Sequence, residues 1–234
     1  MLEVRNATKT YRKGGREIRA ADGLSCRAGP GELVVIHGPS GSGKSTLLLM
    51  IGGMLPPDEG TVLYESADIY GWPAFRRNRY RKHTVGFVFQ RFFLIPYLTV
   101  FDNIRMPLVL QRTRADHARG VEELAQRLRI RDRLGHRPAE LSVGEQQRAA
   151  VARALVGGQK LILADEPTGN LDAENIELIG QCLCQESRRG RAIVLATHNP
   201  LLLELGTKQL RLEQGRLVGT AGTSAETQRK QEGP

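Results

Sequence analysis

Three short, almost wholly apolar runs constrain the fold of this chain more than any other feature of its sequence. They are Leu33 to Ile36, Leu161 to Ala164 and Ile193 to Ala196. Short runs rich in Val, Ile and Leu are typical of strands buried on both faces of a sheet. Because helical stretches lie between them, the alternation predicts an α/β domain with a largely parallel sheet.

The segments outside these runs predict two further layers and a tail. Residues 92–156 read as a helical subdomain inserted in the sheet, with Val121, Leu124 and Leu128 on one apolar stripe. The first thirty residues alternate apolar and polar side chains, which predicts a small antiparallel β layer. Residues 219–234 are polar and without large apolar side chains, so we expect a disordered tail after one domain spanning 1–218.

The apolar runs and the charge limit where the chain can act. Each run is shorter than the roughly 18 residues needed to cross a bilayer, and the charged N-terminal stretch carries no readable export signal. We therefore expect a cytoplasmic location. The net charge of +9 suits an anionic partner, such as a nucleotide, a nucleic acid or the inner face of a membrane. A basic solvated surface explains that charge equally well.

A glycine-rich loop follows the first apolar run. Residues 38–46 read GPSGSGKST and match the pattern G-x-x-x-x-G-K-[ST] between a strand and a helix. The glycines let backbone N–H groups face phosphates, and the helix beginning near Lys44 adds the positive end of its dipole. The pattern predicts Lys44 between the β- and γ-phosphates and Ser45 as a ligand of Mg²⁺. The predicted nucleotide-binding residues of the loop are Gly38, Pro39, Ser40, Gly41, Ser42, Gly43, Lys44, Ser45 and Thr46.

Two adjacent carboxylates end the second apolar run. Asp165 is predicted to hold Mg²⁺ through water, and Glu166 to orient and activate the attacking water. An apolar run ending in two acids is weak evidence alone, because helix N-termini also favour acids. Together with the phosphate loop, the pair predicts a nucleotide-hydrolysing site.

Four further motifs and one aromatic residue occur in an order typical of one family. FVFQ ends at Gln90, LSVGEQQR spans 141–148, ADEPTGNLD spans 164–172, His198 follows the strand AIVLAT, and Tyr11 lies near the N-terminus. With them, the chain resembles the ATP-binding-cassette ATPases, a P-loop family, over nearly its whole length. The segment RFFLIPYLTVFDNI looks closest to the group that serves lipoprotein release, macrolide export and cell division.

The resemblance implies ATP and Mg²⁺ as cofactors and a site shared by two copies of the chain. Ser142, Gly144 and Glu145 of the signature would serve the opposite copy's ATP, Tyr11 would stack on adenine, and Asp172 would couple the two sites. The implied catalytic residues are Lys44, Gln90, Glu166 and His198, and the implied metal ligands are Ser45, Gln90 and Asp165. It also implies an integral membrane permease as partner, a position on the cytoplasmic face of the membrane, and export or lipoprotein and peptide extraction.

Several residues have a structural interpretation beside the functional one. Ser142 and Glu145 form an S-x-x-E capping box, which does not conflict with phosphate binding. A histidine such as His198, considered alone, is more often structural, but its place just after a central strand favours the functional interpretation. Tyr11, considered alone, would be a strand residue that packs an edge. The signature departs from the family pattern, with Val143 in place of a glycine and Glu145 in place of the commoner Gln.

Two points of function stay open in the sequence. The apolar segment 92–98 has two interpretations: about half of its residues would belong to the subdomain core, and the others would form a docking groove for a partner helix. An ATPase that regulates a membrane partner without transport has the same motifs. A nucleic-acid-linked ATPase is disfavoured by the single cassette and by the lack of long heptads or zinc cysteines, so we expect no nucleic-acid partner.

Overall fold

The computed structural model describes residues 1–112, 117–169 and 171–222, which form two sheets flanked by helices. The strands are β1 (Leu2–Lys13), β2 (Arg16–Ala28), β3 (Leu33–His37), β4 (Glu59–Tyr64), β5 (Ala67–Asp68), β6 (Val85–Val88), β7 (Leu161–Asp165), β8 (Ala192–Ala196), β9 (Lys208–Glu213) and β10 (Arg216–Gly222). The helices are α1 (Lys44–Ile51), α2 (Ala74–His83), α3 (Val100–Gln111), α4 (His117–Arg127), α5 (Val143–Leu155), α6 (Ala173–Arg188) and α7 (Pro200–Leu203).

The larger sheet has the strand order β10-β9-β3-β8-β7-β6. Five of its strands run parallel and β10 pairs antiparallel at one edge. In β3, Val35 packs into the core on one face while Val34 and Ile36 pack into the core on the other. Successive side chains point to opposite faces of a strand, so a strand covered on both sides needs apolar residues throughout. The prediction of an α/β fold with a mostly parallel sheet is confirmed.

The predicted N-terminal antiparallel layer is also confirmed. Strands β1 and β2 pair antiparallel, and β4 and β5 extend this sheet in the order β2-β1-β4-β5. Its inner face packs against α1 on one side of the parallel sheet, in the core cluster that contains Leu47 and Val62. This layer and the loop after β3 therefore lie side by side.

The described regular elements between Gln90 and Gly157 are all helical. They comprise α3, α4, α5 and two short 3-10 turns, and their apolar faces share one core cluster with the parallel sheet. Val121, Leu124 and Leu128 are all buried in it. Where this subdomain begins and ends stays a prediction.

One boundary predicted from composition is wrong. Residues 219–222, assigned to the polar tail, complete β10 and pair with β9 through Gly222 and Lys208. An edge strand is held by backbone hydrogen bonds along one side, so it does not need a large apolar side chain at every second position. The rest of the predicted tail, 223–234, lies outside the described residues. No helix in the part that the structure describes is long and apolar enough to cross a membrane.

Candidate active site

The topology of the parallel sheet brings the sequence motifs to one edge. Strands β3, β8, β7 and β6 are neighbours with parallel pairing, so their carboxyl ends lie together. The glycine-rich loop follows β3, Glu166 follows β7, His198 follows β8 and Gln90 follows β6. Ligands of open α/β sheets bind at this edge.

The loop approaches its neighbours so closely that two positions admit only glycine. A Cβ on Gly38 would lie 1.9 Å from the carbonyl oxygen of Leu212, and a Cβ on Gly43 would lie 1.9 Å from that of Ala20. Gly43 also has a φ of 103° and is the N-cap of α1, which has no side-chain cap and no acid in its first turn. The first amides of α1 are thus left for an external acceptor, which makes this helix N-terminus an anion site.

Three ionisable side chains meet above the loop. The Lys44 Nζ donates to the carbonyl oxygens of Gly38 and Pro39 at 2.9 and 3.1 Å. It also lies 3.8 Å from a carboxylate oxygen of Glu166. The other oxygen of Glu166 lies 2.9 Å from Nδ1 of His198 and accepts the His198 backbone N–H at 3.3 Å.

Glu166 adopts a backbone conformation that is uncommon for its residue type. Its φ is +46°, in the left-handed region, and its N–H donates to the carbonyl of Ala196 at 2.8 Å. Left-handed residues other than glycine cost free energy and concentrate at functional sites. The turn brings the carboxylate over the glycine-rich loop, 3.8 Å from Lys44.

Asp165 lies one layer deeper. Its side chain hydrogen-bonds with Ser45, and burial raises the pKa of Asp165 above its ordinary value despite that bond. The Asp165 Oδ1 is buried and has no hydrogen-bond partner among the described residues. An unpaired buried carboxylate oxygen is costly, so this arrangement fits a cation that supplies the missing interaction.

These groups enclose a cleft of about 500 Å³. Its lining comprises Ala20, the whole loop from Gly38 to Thr46, Gln90, Glu166 and His198. Ala20 was missed in the sequence, because a small residue in a strand carries no signal of its own. Of the other predicted site residues, Tyr11 lies on β1 opposite Ile18 with 40% of its surface exposed, outside this lining.

The signature segment lies outside the cleft as well. Ser142 caps α5 by accepting the Glu145 N–H, and the Glu145 carboxylate accepts the Ser142 N–H at 2.8 Å, so the predicted capping box is present. Arg133 donates to Glu145 at 2.7 Å, and these bonds lower the pKa of Glu145 to about 2. Ser142 and Val143 are exposed at the tip of the helix.

A polar network that the sequence did not predict supports this tip. The Asp172 carboxylate caps α6 by accepting from the backbone and the side chain of Asn175 at 2.8 and 2.7 Å. Arg148 donates to the same Asn175 side chain. A Cβ on Gly144 would lie 3.0 Å from that amide, so the glycine lets α5 and α6 approach. The network links Asp172 to the signature helix.

The segment after Gln90 is fixed from two sides. Arg153 donates to the carbonyls of Phe92 and Phe93 at 2.7 and 2.6 Å, and Asn103 binds both the N–H and the carbonyl of Ile95. Leu94 packs against the core, whereas Phe93 and Tyr97 are 62% and 75% exposed. Leu94 thus belongs to the subdomain core, whereas a docking role for Phe93 and Tyr97 stays a prediction.

Comparisons with known proteins agree with this geometry. A family model described as ABC transporter matches residues 21–169. A lipoprotein-releasing system ATP-binding protein of Geobacter metallireducens is 40% identical over 220 residues, covering 93% of this chain and 98% of that protein. A macrolide export ATP-binding/permease protein of Marinobacter nauticus is 37% identical over 95% of this chain, which spans only 35% of that longer protein.

Solved structures give the same result. The dimeric structure of an ATP-binding cassette in a post-hydrolysis state, bound to ADP and Pi, superimposes with a TM-score of 0.89 at 34% identity. The match covers 95% of this chain and 98% of that one. The cleft combines the glycine-rich loop with Glu166, His198 and Gln90, and the family model and the relatives agree with it. This chain therefore belongs to the ABC transporter family, as one of its ATP-binding cassettes.

Proposed function

We propose that the chain binds and hydrolyses ATP as one subunit of a homodimer that sandwiches nucleotide and drives an integral membrane permease. The observation that carries this proposal is the separation of the motifs. One cleft holds the phosphate loop, Glu166 and His198, whereas the signature tip at Ser142 is exposed outside it. Each chain thus offers two half-sites, and a second copy is needed to complete either of them.

The residues of the cleft divide the chemistry among them. Glu166 accepts a proton from the attacking water, and His198, whose backbone N–H donates to that carboxylate and whose Nδ1 lies 2.9 Å from it, holds it in place. Lys44, which donates to loop carbonyls in this structure, would turn its ammonium to the β- and γ-phosphates. Since the amides at the start of α1 are uncapped, they bind phosphate oxygens without any side chain being displaced.

The residues around Asp165 fit Mg²⁺. A hydroxyl at Ser45, an unpaired buried carboxylate oxygen at Asp165 and the amide of Gln90 at the cleft wall are the hard oxygen ligands that Mg²⁺ prefers. When bound, Mg²⁺ neutralises charge on the phosphate oxygens. Asp165 and Ser45 would hold it, with Gln90 completing the set from the joint with the helical segment.

The partner copy supplies the other half of each site. The N-terminus of α5, with Ser142 and Gly144, would bind the γ-phosphate of the facing copy, and Asp172 would connect this contact to the neighbouring site through Asn175. Tyr11, exposed on β1, would stack on adenine. The dimeric solved structure of a similar cassette supports this arrangement.

The relatives support a membrane partner. One is named as part of a lipoprotein-releasing system and another as a fused ATP-binding and permease protein. We therefore place the chain on the cytoplasmic face of a membrane, in export or in lipoprotein or peptide extraction. The exposed side chains Phe93 and Tyr97, next to Gln90, would contact the permease and receive the movement caused by nucleotide binding.

Replacing Glu166 by Gln tests the chemistry. The change keeps the size of the side chain but removes the basic carboxylate, so turnover should fall about 10²- to 10⁴-fold, or roughly 3 to 5 kcal/mol of barrier. Binding should survive, because Glu166 does not hold phosphate. Light scattering should then show a monomer that becomes a dimer only with ATP, and normal hydrolysis by this variant would exclude the assigned role.

Ser142→Arg in the Glu166→Gln background tests the shared site. The bulky cation at the tip of α5 should prevent the ATP-dependent dimer while the loop of the same chain still binds nucleotide. Ser66→Arg, on the exposed turn between β4 and β5, is the matched control and should dimerise normally. A Ser142→Arg protein that dimerises like the control contradicts a site shared between two copies.

A further inference from the structure

Helix α2 carries a density of positive charge that the active site does not use. Its ten residues, AFRRNRYRKH, include six Arg, Lys or His and no Asp or Glu. Arg76 and Arg77 lie in its first turn, where the positive end of the helix dipole disfavours cations. The two arginines are therefore unfavourable for the helix itself, and no acidic residue on α2 offsets their charge. This arrangement points to an anionic ligand outside the helix.

The inner side of α2 is explained by packing. Tyr80 is buried and donates its hydroxyl proton to the carbonyl of Ile51 at 3.0 Å. Arg77 and Arg81 donate to backbone carbonyls at Trp72 and Gly53. These bonds to neutral atoms fix the helix on the core and leave its charge uncompensated.

The outer side of α2 has no such explanation. Phe75, Arg76 and Arg79 are exposed, with Lys82 one turn further along the same face. Phe75 is 75% exposed, and the Arg76 guanidinium lies over the Trp72 ring, 4.5 Å from its centroid. Within the residues that the structure describes, no carboxylate forms an ion pair with Arg76, Arg79 or Lys82. We call Phe75, Arg76, Arg79 and Lys82 the outer face of α2.

The position of this face relates it to the membrane partner. A groove of about 430 Å³ separates α2 from α3 and includes Lys82, Leu110 and Arg153 in its lining. Arg153 also holds the carbonyls of Phe92 and Phe93, in the segment assigned above to the permease. Through Lys82, the outer face of α2 therefore borders a groove that reaches the segment proposed to contact the permease.

From this position and charge we propose that the outer face of α2 binds the headgroups of anionic phospholipids in the membrane that holds the permease. The placement rests on the proposed function, whereas the choice of ligand rests on the side chains. Phosphate headgroups complement the three cations, and an exposed aromatic ring among cations is typical of the boundary between headgroups and acyl chains. Arg76 and Arg79 are suited to phosphate by their planar guanidinium groups.

Vesicle binding of the purified chain without nucleotide tests this proposal. The chain should sediment with vesicles of phosphatidylcholine and phosphatidylglycerol, more weakly as salt rises, and should not sediment with phosphatidylcholine alone. Each cation near an anionic surface strengthens binding by about 1 kcal/mol. The triple variant Arg76→Gln, Arg79→Gln, Lys82→Gln should therefore lower the partition coefficient on the order of 100-fold.

A second triple variant controls for net charge. Arg16→Gln, Lys160→Gln and Arg188→Gln remove the same number of charges from exposed positions outside α2. This control should lose less than about fivefold. Equal losses in the two triple variants would show a general attraction of the net charge of +9 and would overturn the proposal.

Trp72, the only tryptophan of the chain, reports the contact directly. It precedes α2 and packs under Arg76, so brominated lipids in anionic vesicles should quench its emission. Binding without quenching would place the lipid contact on another surface and exclude α2. Phe75→Ser should reduce both binding and quenching while leaving basal ATP hydrolysis unchanged.

The test also separates lipid from protein as the ligand. If the α2 triple variant binds anionic vesicles like the unmodified chain but loses affinity for the detergent-solubilised permease, the face belongs to an acidic protein segment and the proposal is wrong. ATP-dependent dimerisation of the same variant is measured in parallel. Normal dimerisation with no vesicle binding by any variant would refute the lipid site alone and leave the ATPase function standing.

Discussion

The environment of Asp165 links the stability of the nucleotide-free protein to the Mg²⁺ binding that we propose. Its carboxylate is largely buried, one oxygen has no hydrogen-bond partner among the described residues, and burial raises its pKa. All three features oppose folding when no cation is bound. We therefore predict that Asp165→Asn stabilises the nucleotide-free chain and at the same time weakens its response to Mg·ATP.

The magnitude follows from the cost of an unpaired buried polar group. That cost is about 1 to 3 kcal/mol, and for a chain of this length each kcal/mol shifts Tm by about 2 to 4 °C. Asp165→Asn should therefore raise the Tm of the nucleotide-free protein by about 2 to 12 °C. Mg·ATP at 100 times its Kd should stabilise the unmodified chain by about 2.7 kcal/mol, and the variant by much less at the same concentration.

The pH dependence has a definite sign. Because burial raises the pKa of Asp165 in the folded state, the ionised carboxylate destabilises the fold at neutral pH. As the pH falls through that raised pKa towards the ordinary aspartate value of about 3.9, the folded state takes up the proton and the penalty disappears. The difference in unfolding free energy between Asp165→Asn and the unmodified chain should therefore be largest at neutral pH and should decrease towards zero as the pH falls.

Differential scanning calorimetry of both proteins, with and without Mg·ATP, measures these effects. Asp22→Asn is the control, since Asp22 is bonded to Arg216 at 2.7 Å and that bond lowers its pKa. Removal of Asp22 should leave Tm unchanged or lower it at neutral pH, the opposite direction. An unchanged or lower Tm for nucleotide-free Asp165→Asn would refute the argument that the buried carboxylate is uncompensated.

Three further predictions concern other parts of the site. Gly43→Ala should lower the unfolding free energy in denaturant by about 2 to 6 kcal/mol, because the new Cβ meets a backbone carbonyl and φ is positive. Gly41→Ala is the control: φ is also positive there but the space is open, so the loss should be about 1 to 2 kcal/mol. Tyr11→Ala should weaken ATP binding by about 1 to 3 kcal/mol in calorimetric titration, and unchanged affinity would assign Tyr11 to packing. Phe93→Ser with Tyr97→Ser should abolish stimulation of ATP hydrolysis by the permease while basal hydrolysis persists, and equal loss of both activities would instead indicate misfolding.

The fold was predictable where the sequence signals were local. The predicted strand Leu33 to Ile36 corresponds to β3, which extends one residue further to His37. It was predictable because burial on both faces favours a run of apolar side chains. The place of β9 beside β3 was not predictable, since it depends on pairing Val34 with Lys208 across most of the chain. Residues 219–222 misled the composition argument, because the backbone pairing of an edge strand leaves little trace in residue type.

The site shows the same division between local pattern and long-range geometry. The meeting of the loop residues, Glu166 and His198 in one cleft was predictable, because strand, turn and residue type are adjacent in the sequence. The left-handed φ of Glu166 has no local signal in the sequence. This backbone conformation is held by the hydrogen bond from the Glu166 N–H to the carbonyl of Ala196, which lies on another strand. The contact between Arg148 and Asn175 was hidden for the same reason: Arg148 ends the signature motif on α5, but its partner Asn175 lies on α6, outside every motif.

The two helix N-termini that we assign to ATP differ in a way that suits their proposed roles. The start of α1 has no side-chain cap, so its amides depend on the nucleotide that the same chain binds. The start of α5 is capped by Ser142 and Glu145, which satisfies the amides of both residues and leaves those of Val143 and Gly144 for an outside acceptor. A helix capped by its own side chains keeps its first turn when the partner's phosphate leaves. The dimer can therefore open after hydrolysis without unwinding α5, and it can close on the next ATP without paying again for helix formation.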